Sequence, residues 1–359
     1  MALSICFILP GPRREPVGGY KICYQYADYL SSRGYDVSIF YLTNTLTTGD
    51  RFSSLLGGVK KAVLSKSNFY KWYTFTHPIK HMVINDINDE ILNKYDKVIC
   101  TSVETMLSVD KVSNISSQLF YFIQDFEDWQ FSKSIVSGSY RVDGVKNITI
   151  SHDLKNIVES FGGKVDSVVF NGIDKNIFNE VKTFHERDEN SLCFMYHPNK
   201  RKGCDLLIDA IDKMYKKDKN YKIKCFSAYQ KPKDFPSYIE YVFRPTPKEL
   251  NEIYNSCRYF ICSSRYEGFG LTPAEASFSG CLVLTTDNGG VTQYIKNGVT
   301  GIVFPQLTSD SILNTIISLR EKEENRLAKL AKFGKSNTEK LLDICHSYKE
   351  FEKIIIGKY

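Results

Sequence analysis

Glu267 and Glu275 stand eight positions apart in the stretch RYEGFGLTPAE. The apolar run before it, residues 259–263, is typical of a buried strand. Gly268 and Gly270 allow the backbone to approach a ligand closely. Backbone amides at the start of a helix attract a phosphate, and carboxylates accept hydrogen bonds from sugar hydroxyls. The stretch therefore predicts a site for a ligand that carries both phosphate and hydroxyl groups.

Glu275 also has a purely structural interpretation. Thr272 is a good N-cap and Pro273 is favoured at the first helical position, so Thr272 and Glu275 have the spacing of a capping box. In the functional interpretation the amides of residues 271–274 face a phosphate. No capping role explains Glu267, which makes it the stronger candidate for chemistry.

Three other loops at predicted strand ends could contact the same ligand. Gly18 and Gly19 precede the first helix, although a flexible loop entering a helix explains them about as well. The basic run 200–203 could neutralise a diphosphate, although a solvated loop is the commoner meaning of such a run. Gly289 and Gly290 repeat the glycine pair, and a plain Asn-Gly turn explains them almost as well. Neither pair continues as a dinucleotide-binding fingerprint, so the sequence does not support a nicotinamide enzyme.

Alternating strand and helix patterns position these loops. Strand, loop, helix and strand follow one another at the start of the chain, and such a βαβ unit implies parallel strands. The same alternation resumes after the polar segment 179–190, which we interpret as a linker. Strand-like runs lie at 3–9, 36–42, 97–101, 119–123, 148–150, 167–170, 192–196, 221–226, 259–263 and 282–285, and helix-like runs at 22–34, 204–215, 247–256, from 272 and from 310 to the end.

The predicted fold class is therefore α/β, with two doubly wound domains facing each other across a cleft. A chain of 359 residues suits two domains. We expect an N-terminal domain at 1–178 and a C-terminal domain at 179–336. The last helix, about 337–359, is expected to pack back on the first domain.

Composition limits the partners and the compartment. The net charge of +6 is too small to indicate a nucleic-acid partner. None of the ten cysteines has the Cys-x-x-Cys spacing of a zinc or redox site, and so many thiols favour a reducing cytoplasm. The start of the chain is a poor signal peptide. Residues 51–82 combine basic and aromatic side chains, which indicates either peripheral contact with an anionic membrane or a solvated basic face with buried aromatics.

Taken together, these features resemble a retaining glycosyltransferase of the GT-B fold, family 4. The resemblance covers most of the chain and is densest at 259–305. The residues that carry it are Glu267 and Glu275 as the family's E-x7-E motif, Ala276, Gly280, Gly289 and Gly290, the segment 171–174 with Phe178, Lys202 with Gly203, and Gly18 with Gly19.

The resemblance implies that the second domain holds a nucleotide-sugar donor and the first an acceptor. Glu267 would bind the transferred sugar and support the reaction, and Glu275 would bind the ribose. The other implied donor contacts are Gly18, Gly19, Arg201, Lys202, Gly268, Phe269, Gly270, Leu271 and Thr272.

The motif YFIQDFEDW departs from the common family pattern. Gln124 and Asp125 stand where a histidine is usual, a variant that resembles rhamnosyltransferase-like and other polysaccharide-assembly members. Asp125 is by this resemblance a second catalytic candidate. Tyr196 and His197 stand where the family commonly has an arginine, so either Arg201 takes its place or the phosphate is bound differently.

The resemblance thus implies a transferase, with neither metal nor cofactor, that passes a sugar from a nucleotide diphosphate to a saccharide or lipid-linked saccharide in cell-surface glycan assembly. The free thiols lead us to expect it in the cytoplasm. Peripheral contact with the inner face of the membrane is possible through 51–82. Two other functions use the same motifs: a sugar-nucleotide epimerase of the same fold, which needs no acceptor, and a non-catalytic partner subunit.

Overall fold

The computed structural model describes residues 2–44 and 69–357. The chain divides into two compact units, one formed by Met1–Val169 with Tyr348–Tyr359 and the other by Phe170–Ser347. The domain boundary predicted from the sequence, at residue 178, lies nearer the C-terminus than the boundary after Val169. Each unit has a hydrophobic core of its own.

The first unit is built on a parallel sheet with the strand order β3-β2-β1-β4-β5-β6-β7. Its strands are β1 (Ser4–Leu9), β2 (Asp36–Leu42), β3 (Lys80–Ile84), β4 (Lys97–Cys100), β5 (Gln118–Ile123), β6 (Val145–Thr149) and β7 (Ser167–Val168). Its helices are α1 (Gly18–Ser32), α2 (Asp89–Leu92), α3 (Val103–Val109), α4 (Lys133–Ser139) and α5 (His152–Ser160). The direction of winding reverses between β1 and β4, where doubly wound folds place their ligands.

The second unit repeats this arrangement with a parallel sheet of order β10-β9-β8-β11-β12-β13. Its strands are β8 (Ser191–Met195), β9 (Lys222–Ser227), β10 (Ile239–Phe243), β11 (Tyr259–Cys262), β12 (Leu282–Thr285) and β13 (Ile302–Val303). The helices that follow are α6 (Cys204–Lys217), α7 (Pro247–Asn255), α8 (Leu271–Phe278), α9 (Ser309–Ser318), α10 (Glu324–Leu341) and α11 (Ile344–Ile356), whose last part belongs to the first unit. Here the winding reverses between β8 and β11.

The central strands are apolar because helices cover both faces of a parallel sheet. In β1 the residues from Ile5 to Leu9 are buried, and every residue of β11 and β12 is buried. The prediction of two α/β domains is confirmed, and β2 and β12 agree with it to the residue. The strands β3, β10 and β13 were missed, because charged residues interrupt the first two and the third has two residues.

The segment 179–190 is not a linker, so that prediction is wrong. It packs within the second unit through Arg187, which is only 3% exposed. The guanidinium donates hydrogen bonds to the carbonyls of Cys257 (3.0 Å) and Ser279 (2.6 Å). Arg187 makes these buried hydrogen bonds, and the polar composition of the segment did not reveal them.

The helical prediction for the C-terminus needs a similar correction. The structure breaks it into α9, a 3-10 turn, α10 and α11. The break between α10 and α11 occurs where the amide of Ile173 donates to the carbonyl of Leu342 (2.8 Å). Gly172 allows this approach, since a Cβ there would lie 2.3 Å from the Cα of Ile344.

The basic aromatic segment 51–82 is described only from residue 69. There its rings pack inside the first unit: Trp72, Tyr73 and Phe75 lie 5.0–5.3 Å from the ring of Tyr24. This part of the segment matches the interpretation with buried aromatics, and residues 51–68 lie outside the described chain. Of the helices in the described ranges, none is both long and apolar enough to cross a membrane.

Candidate functional site

Lys202 and Glu267 meet at the carboxyl ends of β8 and β11. The Lys202 Nζ lies 2.7 Å from Oε1 of Glu267, and the hydroxyl of Ser264 donates to the same oxygen at 2.6 Å. Within the described chain no side chain or amide donates to Oε2 of Glu267. The winding reverses between these two strands, so the ion pair stands where a doubly wound sheet binds its ligand.

The surroundings of Glu267 keep it ionised. Burial, which leaves the side chain 12% exposed, acts to raise its pKa. The charge of Lys202, the hydrogen bonds from Lys202 and Ser264 and the more distant Arg201 outweigh burial and lower the pKa below its usual range. The site therefore presents an anion and a cation side by side at neutral pH.

The backbone of the Lys202 loop is fixed to the loop after β11. The amide of Arg265 donates to the carbonyl of Arg201 (2.7 Å), and the Ser263 hydroxyl donates to the carbonyl of Lys202 (3.0 Å). Gly203 has a φ of +63°, and a Cβ there would lie 2.0 Å from the carbonyl oxygen of Ser263. Only glycine allows the two loops to come this close.

A third loop holds Glu267 from its other side. The amide of Glu267 donates to the carbonyl of Asn288 (3.0 Å), and the amide of Gly290 donates to the carbonyl of Glu267 (2.9 Å). A Cβ at Gly290 would lie 2.6 Å from that carbonyl oxygen. Close packing of two loops thus accounts for Gly290, in place of the phosphate contact or plain turn considered from sequence.

The capping box proposed for Thr272 and Glu275 is wrong. Helix α8 begins at Leu271, two residues before Pro273, and its N-cap is Gly270 with a φ of +84°. The amide of Ala274 already donates to the carbonyl of Gly270 (3.3 Å), and Pro273 has no N–H. The set of amides available to a phosphate is therefore smaller than expected. Those of Leu271 and Thr272 donate to no acceptor in the described ranges.

Glu275 lies inside the second unit rather than at a helix cap. It is 3% exposed, and its Oε2 accepts a hydrogen bond from the hydroxyl of Tyr254 on α7 at 3.3 Å. The pair is 21 residues apart in sequence, which is why the sequence did not reveal it. Before Glu275 could bind a ribose hydroxyl, the ligand would have to reach this buried carboxylate.

The rest of the RYEGFGLTPAE stretch contributes backbone rather than side chains. Phe269 is buried and its ring lies 5.7 Å from that of Tyr294. The hydroxyl of Tyr294 donates to the carbonyl of Gly270 at 2.5 Å, and Gly268 is also buried. The predicted contacts through Gly268, Phe269 and Gly270 would have to use main-chain atoms.

Two further side chains lie beside the ion pair. The Arg201 guanidinium lies 5.1 Å from the ring centroid of Tyr266 and adds positive charge near Glu267. Burial, followed by the charge of Lys202, lowers the pKa of His197 to about 4. His197 is therefore neutral at pH 7, and its Nδ1 accepts the amide of Asn199 at 3.0 Å, which fits the structural role expected for it.

In the first unit Gly18 and Gly19 open α1, directly after the loop that follows β1. A Cβ at Gly19 would lie 3.5 Å from the side-chain amide of Gln124, an ordinary contact distance. The Gln124 Nε2 donates to the Sγ of Cys23 on α1 (3.2 Å). Gln124 thus lies beside Gly19, a contact that the sequence analysis did not predict, and a Cβ at Gly19 has room that a Cβ at Gly203 lacks.

Asp125 follows Gln124 in the loop after β5, where its Oδ1 accepts the amide of Phe126 at 2.9 Å. Glu127, which the sequence analysis did not select, lies two positions further on and accepts the amide of Val103 at 3.2 Å. Burial, followed by the charges of Asp125 and Glu104, raises the pKa of Glu127 to about 8. The run of acidic residues in QDFED was the available signal for this carboxylate.

Across residues 2–44 and 69–357, no three His, Cys, Asp or Glu side chains are grouped so that they could hold a metal ion.

Residues 237–337 match the family described as "Glycosyl transferases group 1". The matched segment contains Glu267, Ser264 and Glu275, whereas Lys202 precedes it.

Two relatives are similar in sequence. An uncharacterized glycosyltransferase of Methanocaldococcus jannaschii is 26% identical over 224 residues, which cover 59% of this chain and 57% of the relative. The lipopolysaccharide 1,2-N-acetylglucosaminetransferase of Salmonella typhimurium is 31% identical over 90 residues, 24% of each chain. The match thus spans little more than half of the first relative and a quarter of the second.

Solved structures establish the fold. HepE of Anabaena, crystallised with UDP and glucose, superposes with a TM-score of 0.75 at 14% identity and covers 99% of this chain and 100% of its own. Sucrose-phosphate synthase of Thermosynechococcus elongatus gives a TM-score of 0.74 at 13% identity, with 99% and 98% covered. The fold of this chain is that of the GT-B glycosyltransferases, as predicted.

Proposed function

We propose that the protein is a retaining glycosyltransferase of the family 4 type, which transfers a sugar from a nucleoside diphosphate sugar to a saccharide or lipid-linked saccharide. The observation that carries this proposal is the cluster of Lys202, Glu267 and Ser264 at the point where the second sheet reverses its winding. The cluster combines a cation for a diphosphate with a carboxylate oxygen for a sugar hydroxyl.

Lys202 would bind the diphosphate and stabilise it as it leaves. Negative charge grows on the leaving phosphate oxygen during transfer, and a cation fixed in advance lowers the energy of that transition state. Glu267 fixes the ammonium group of Lys202 at 2.7 Å. Arg201 and the amides of Leu271 and Thr272 would add to the same stabilisation, so the proposal needs no metal ion and no cofactor.

Glu267 would position the transferred sugar. Both hydrogen bonds that the Glu267 side chain accepts from described residues fall on Oε1, so Oε2 is the oxygen that would accept a sugar hydroxyl. Fixing the sugar in this way orients its anomeric carbon for attack.

In the proposed step the acceptor hydroxyl oxygen forms a bond to the anomeric carbon while the bond from that carbon to the diphosphate oxygen breaks. The electron pair stays on the departing phosphate, which takes the acceptor proton. Attack from the face that the leaving group vacates retains the anomeric configuration. The products are a glycoside and a nucleoside diphosphate.

The remaining details of the proposal concern location and pathway. We propose a cytoplasmic enzyme of the rhamnosyltransferase-like type that assembles cell-surface glycans. The ten thiols are all free, and only Cys345 is exposed, which suits a reducing compartment. Contact of 51–82 with the membrane is part of the proposal, and sedimentation with anionic liposomes tests it: recovery of the protein in the supernatant would contradict it.

The first experiment is calorimetric titration with UDP, dTDP and GDP in the presence of EDTA. We expect one nucleotide to bind and Lys202→Ala to weaken it about tenfold or more, since a charge-assisted contact is lost. Lys217→Ala, which removes an exposed charge at the far end of α6, is the matched control. Absence of binding to all three nucleotides would refute the proposal.

The second experiment follows transfer itself. With the sugar conjugate of the nucleotide that binds, NMR of the product should show the anomeric configuration of the donor. Inversion would contradict the retaining mechanism. Conversion of the donor without an acceptor would indicate an epimerase, and binding without turnover would indicate a non-catalytic subunit.

A further inference from the structure

Helix α10 of the second unit buries one side and exposes the other. Its buried residues recur every three or four positions, as an amphipathic helix requires: Leu327, Ala331, Gly334 and Thr338. The residues that form the α10 face, on the opposite side, are exposed and mostly basic: Arg326, Lys329, Lys332, Phe333, Ser336 and Lys340. The α10 face contains no acidic residue, so its charge is of one sign.

The four cations of the α10 face form no ion pair with any residue in the described ranges. Lys335, on the flank of the same helix, pairs instead with Glu180 at 2.9 Å. The two exposed glutamates of α10 are also engaged, Glu339 with Lys335 (3.8 Å) and Glu324 with Arg258 (2.5 Å). The described residues therefore leave the positive charge of the α10 face uncompensated.

Two exposed apolar side chains accompany these cations. Phe333 lies within the α10 face and is 58% exposed, more than any other aromatic side chain in the described part of the chain. Val299 is equally exposed, and its neighbour Thr300 packs on α10, because a Cβ at Gly334 would lie 2.4 Å from the Thr300 carbonyl oxygen. Val299 therefore borders the α10 face, which combines cations with apolar side chains in contact with solvent.

This composition matches an anionic lipid surface. Lysine and arginine near a membrane are attracted to acidic headgroups without a specific bonding geometry. Phenylalanine and valine enter the boundary between headgroups and acyl chains, while long basic side chains extend to the headgroups. Protein interfaces are depleted in lysine, whereas three of the four cations of the α10 face are lysines. Charge complementarity thus favours a membrane over an acidic protein.

We propose that the α10 face, with Val299 at its border, is a docking surface of the second unit for an anionic membrane. The contact is peripheral, with α10 lying along the lipid surface. The inference goes beyond the proposed function, because it holds whichever reaction the Lys202 and Glu267 cluster performs. It is also distinct from the contact proposed for 51–82, which belongs to the first unit.

Flotation with lipid vesicles provides the test. The probes are vesicles of phosphatidylcholine alone and of phosphatidylcholine mixed with phosphatidylglycerol. We expect the protein to float with the mixed vesicles only, and high salt to release it, because salt screens the attraction between exposed charges. The double variant Arg326→Gln, Lys329→Gln should bind the mixed vesicles about thirtyfold more weakly, since each cation near the surface contributes a factor of about five.

Two other double variants remove the same charge elsewhere. Lys216→Gln with Lys217→Gln changes exposed lysines on α6, and it should bind like the native chain because position rather than net charge decides. Lys60→Gln with Lys61→Gln reports separately on the contact proposed for 51–82. Urea denaturation of the α10 and α6 variants should match that of the native chain, because the substituted side chains are exposed.

Phe333→Trp locates the contact on the protein. An indole that enters the lipid boundary is quenched by phosphatidylcholine brominated on its acyl chains. The native chain, with Trp72 and Trp129, gives the background, and we expect Phe333→Trp to add quenching above it. Phe333→Ser should weaken flotation about tenfold, because an apolar side chain is lost from the boundary.

The proposal is overturned if the Arg326 and Lys329 variant floats as well as the native chain, or if brominated lipid quenches Phe333→Trp no more than the native chain. Loss of flotation in the Lys60 and Lys61 variant alone would place the contact in 51–82 and refute the α10 face. Absence of binding to the mixed vesicles would refute both contacts. Nucleotide titration tests the transferase proposal separately, because the α10 face contains no residue of the Lys202 and Glu267 cluster.

Discussion

Glu127 in the first unit and Glu267 in the second both follow a central strand, and both are mostly buried, yet their pKa values move in opposite directions. Glu267 has Lys202 at 2.7 Å, and the pair outweighs the effect of burial. Glu127 accepts one amide and has carboxylates as its charged neighbours, so burial raises its pKa to about 8. The difference indicates a preorganised ion pair after β11 and, after β5, a carboxylate whose charged neighbours are also acidic.

The loops around the two glutamates also differ in how closely their backbones pack. Gly203 and Gly290 hold the loops around Glu267 at distances that no other residue allows. Gly19, beside the loop of Glu127, has an ordinary contact distance to Gln124. The second unit therefore fixes its site through close backbone packing, and the first unit leaves room in the corresponding position.

The largest loss in the free energy of unfolding is expected for Gly203→Ala. The added Cβ would lie 2.0 Å from the Ser263 carbonyl oxygen at a φ of +63°, so the Lys202 loop would have to move. We expect a loss of about 3–5 kcal/mol in the free energy of unfolding, measured by urea denaturation. Gly138→Ala is the control, because nothing lies within 4 Å of a Cβ there. Equal stability of the two variants would contradict the close packing.

Lys202→Met should make Glu267 behave like Glu127. Removing one partner of a mostly buried ion pair is expected to cost about 2–3 kcal/mol at pH 7. In the native chain the pKa of Glu267 is lower in the folded state than its value of about 4.3 in the unfolded state. Glu267 therefore stabilises the folded state above about pH 4.3, and this stabilisation is lost as the pH falls through the pKa of the folded state. The variant should lose this acid dependence.

Urea denaturation between pH 4 and pH 8 measures the effect of Lys202→Met. Lys217→Met, which removes a charge exposed to solvent, should follow the native curve. If both variants kept the native pH dependence, Lys202 would not be the cause of the lowered pKa of Glu267.

Glu127→Gln should have the opposite pH dependence. The raised pKa of Glu127, about 8, means that ionisation destabilises the folded state as the pH rises above the unfolded value of about 4.3. Glutamine cannot ionise, so the stability of the variant relative to the native chain should increase from about pH 4 upwards and level off above pH 8, with a total difference of about 5 kcal/mol for a pKa that changes from about 4.3 to about 8.

Carbon-detected NMR of the glutamate carboxyl groups would locate the titration directly. The signal that titrates near pH 8 should be absent from Glu127→Gln and present in the exposed control Glu90→Gln. Titration of Glu127 at its ordinary value would remove the contrast between the two glutamates.

The sequence predicted the architecture well because hydrophobic alternation and glycine-bounded loops are local signals. The βαβ unit from β1 to β2, and the placement of Lys202 and Glu267 after β8 and β11, depend on a few neighbouring residues each. The carboxyl ends of parallel strands lie along one edge of a sheet, so residues that are distant in sequence could be brought together by topology alone.

Tertiary contacts determine the features of the structure that were predicted wrongly from the sequence. The capping box at Thr272 has the correct spacing, but the N-cap of α8 is Gly270, two residues earlier. The Glu275 carboxylate is buried and accepts a hydrogen bond from Tyr254. The segment 179–190 has the composition of a linker, but Arg187 docks it through buried bonds. Both errors arose where a polar side chain found a partner far away in sequence.

Gly19→Ala is the variant with the smallest expected effect on stability and therefore the cleanest test of a functional glycine. A Cβ would meet the Gln124 amide at 3.5 Å, and Gly19 lies in the first turn of α1, so stability should change by less than about 0.5 kcal/mol. If the main chain at Gly19 approaches the donor phosphates, the methyl group should weaken nucleotide binding about tenfold, measured by calorimetry. Gly138→Ala should bind normally. Unchanged affinity in Gly19→Ala would mean that the glycine pair serves only the entry into α1, and donor recognition would then depend on the Lys202 and Glu267 cluster.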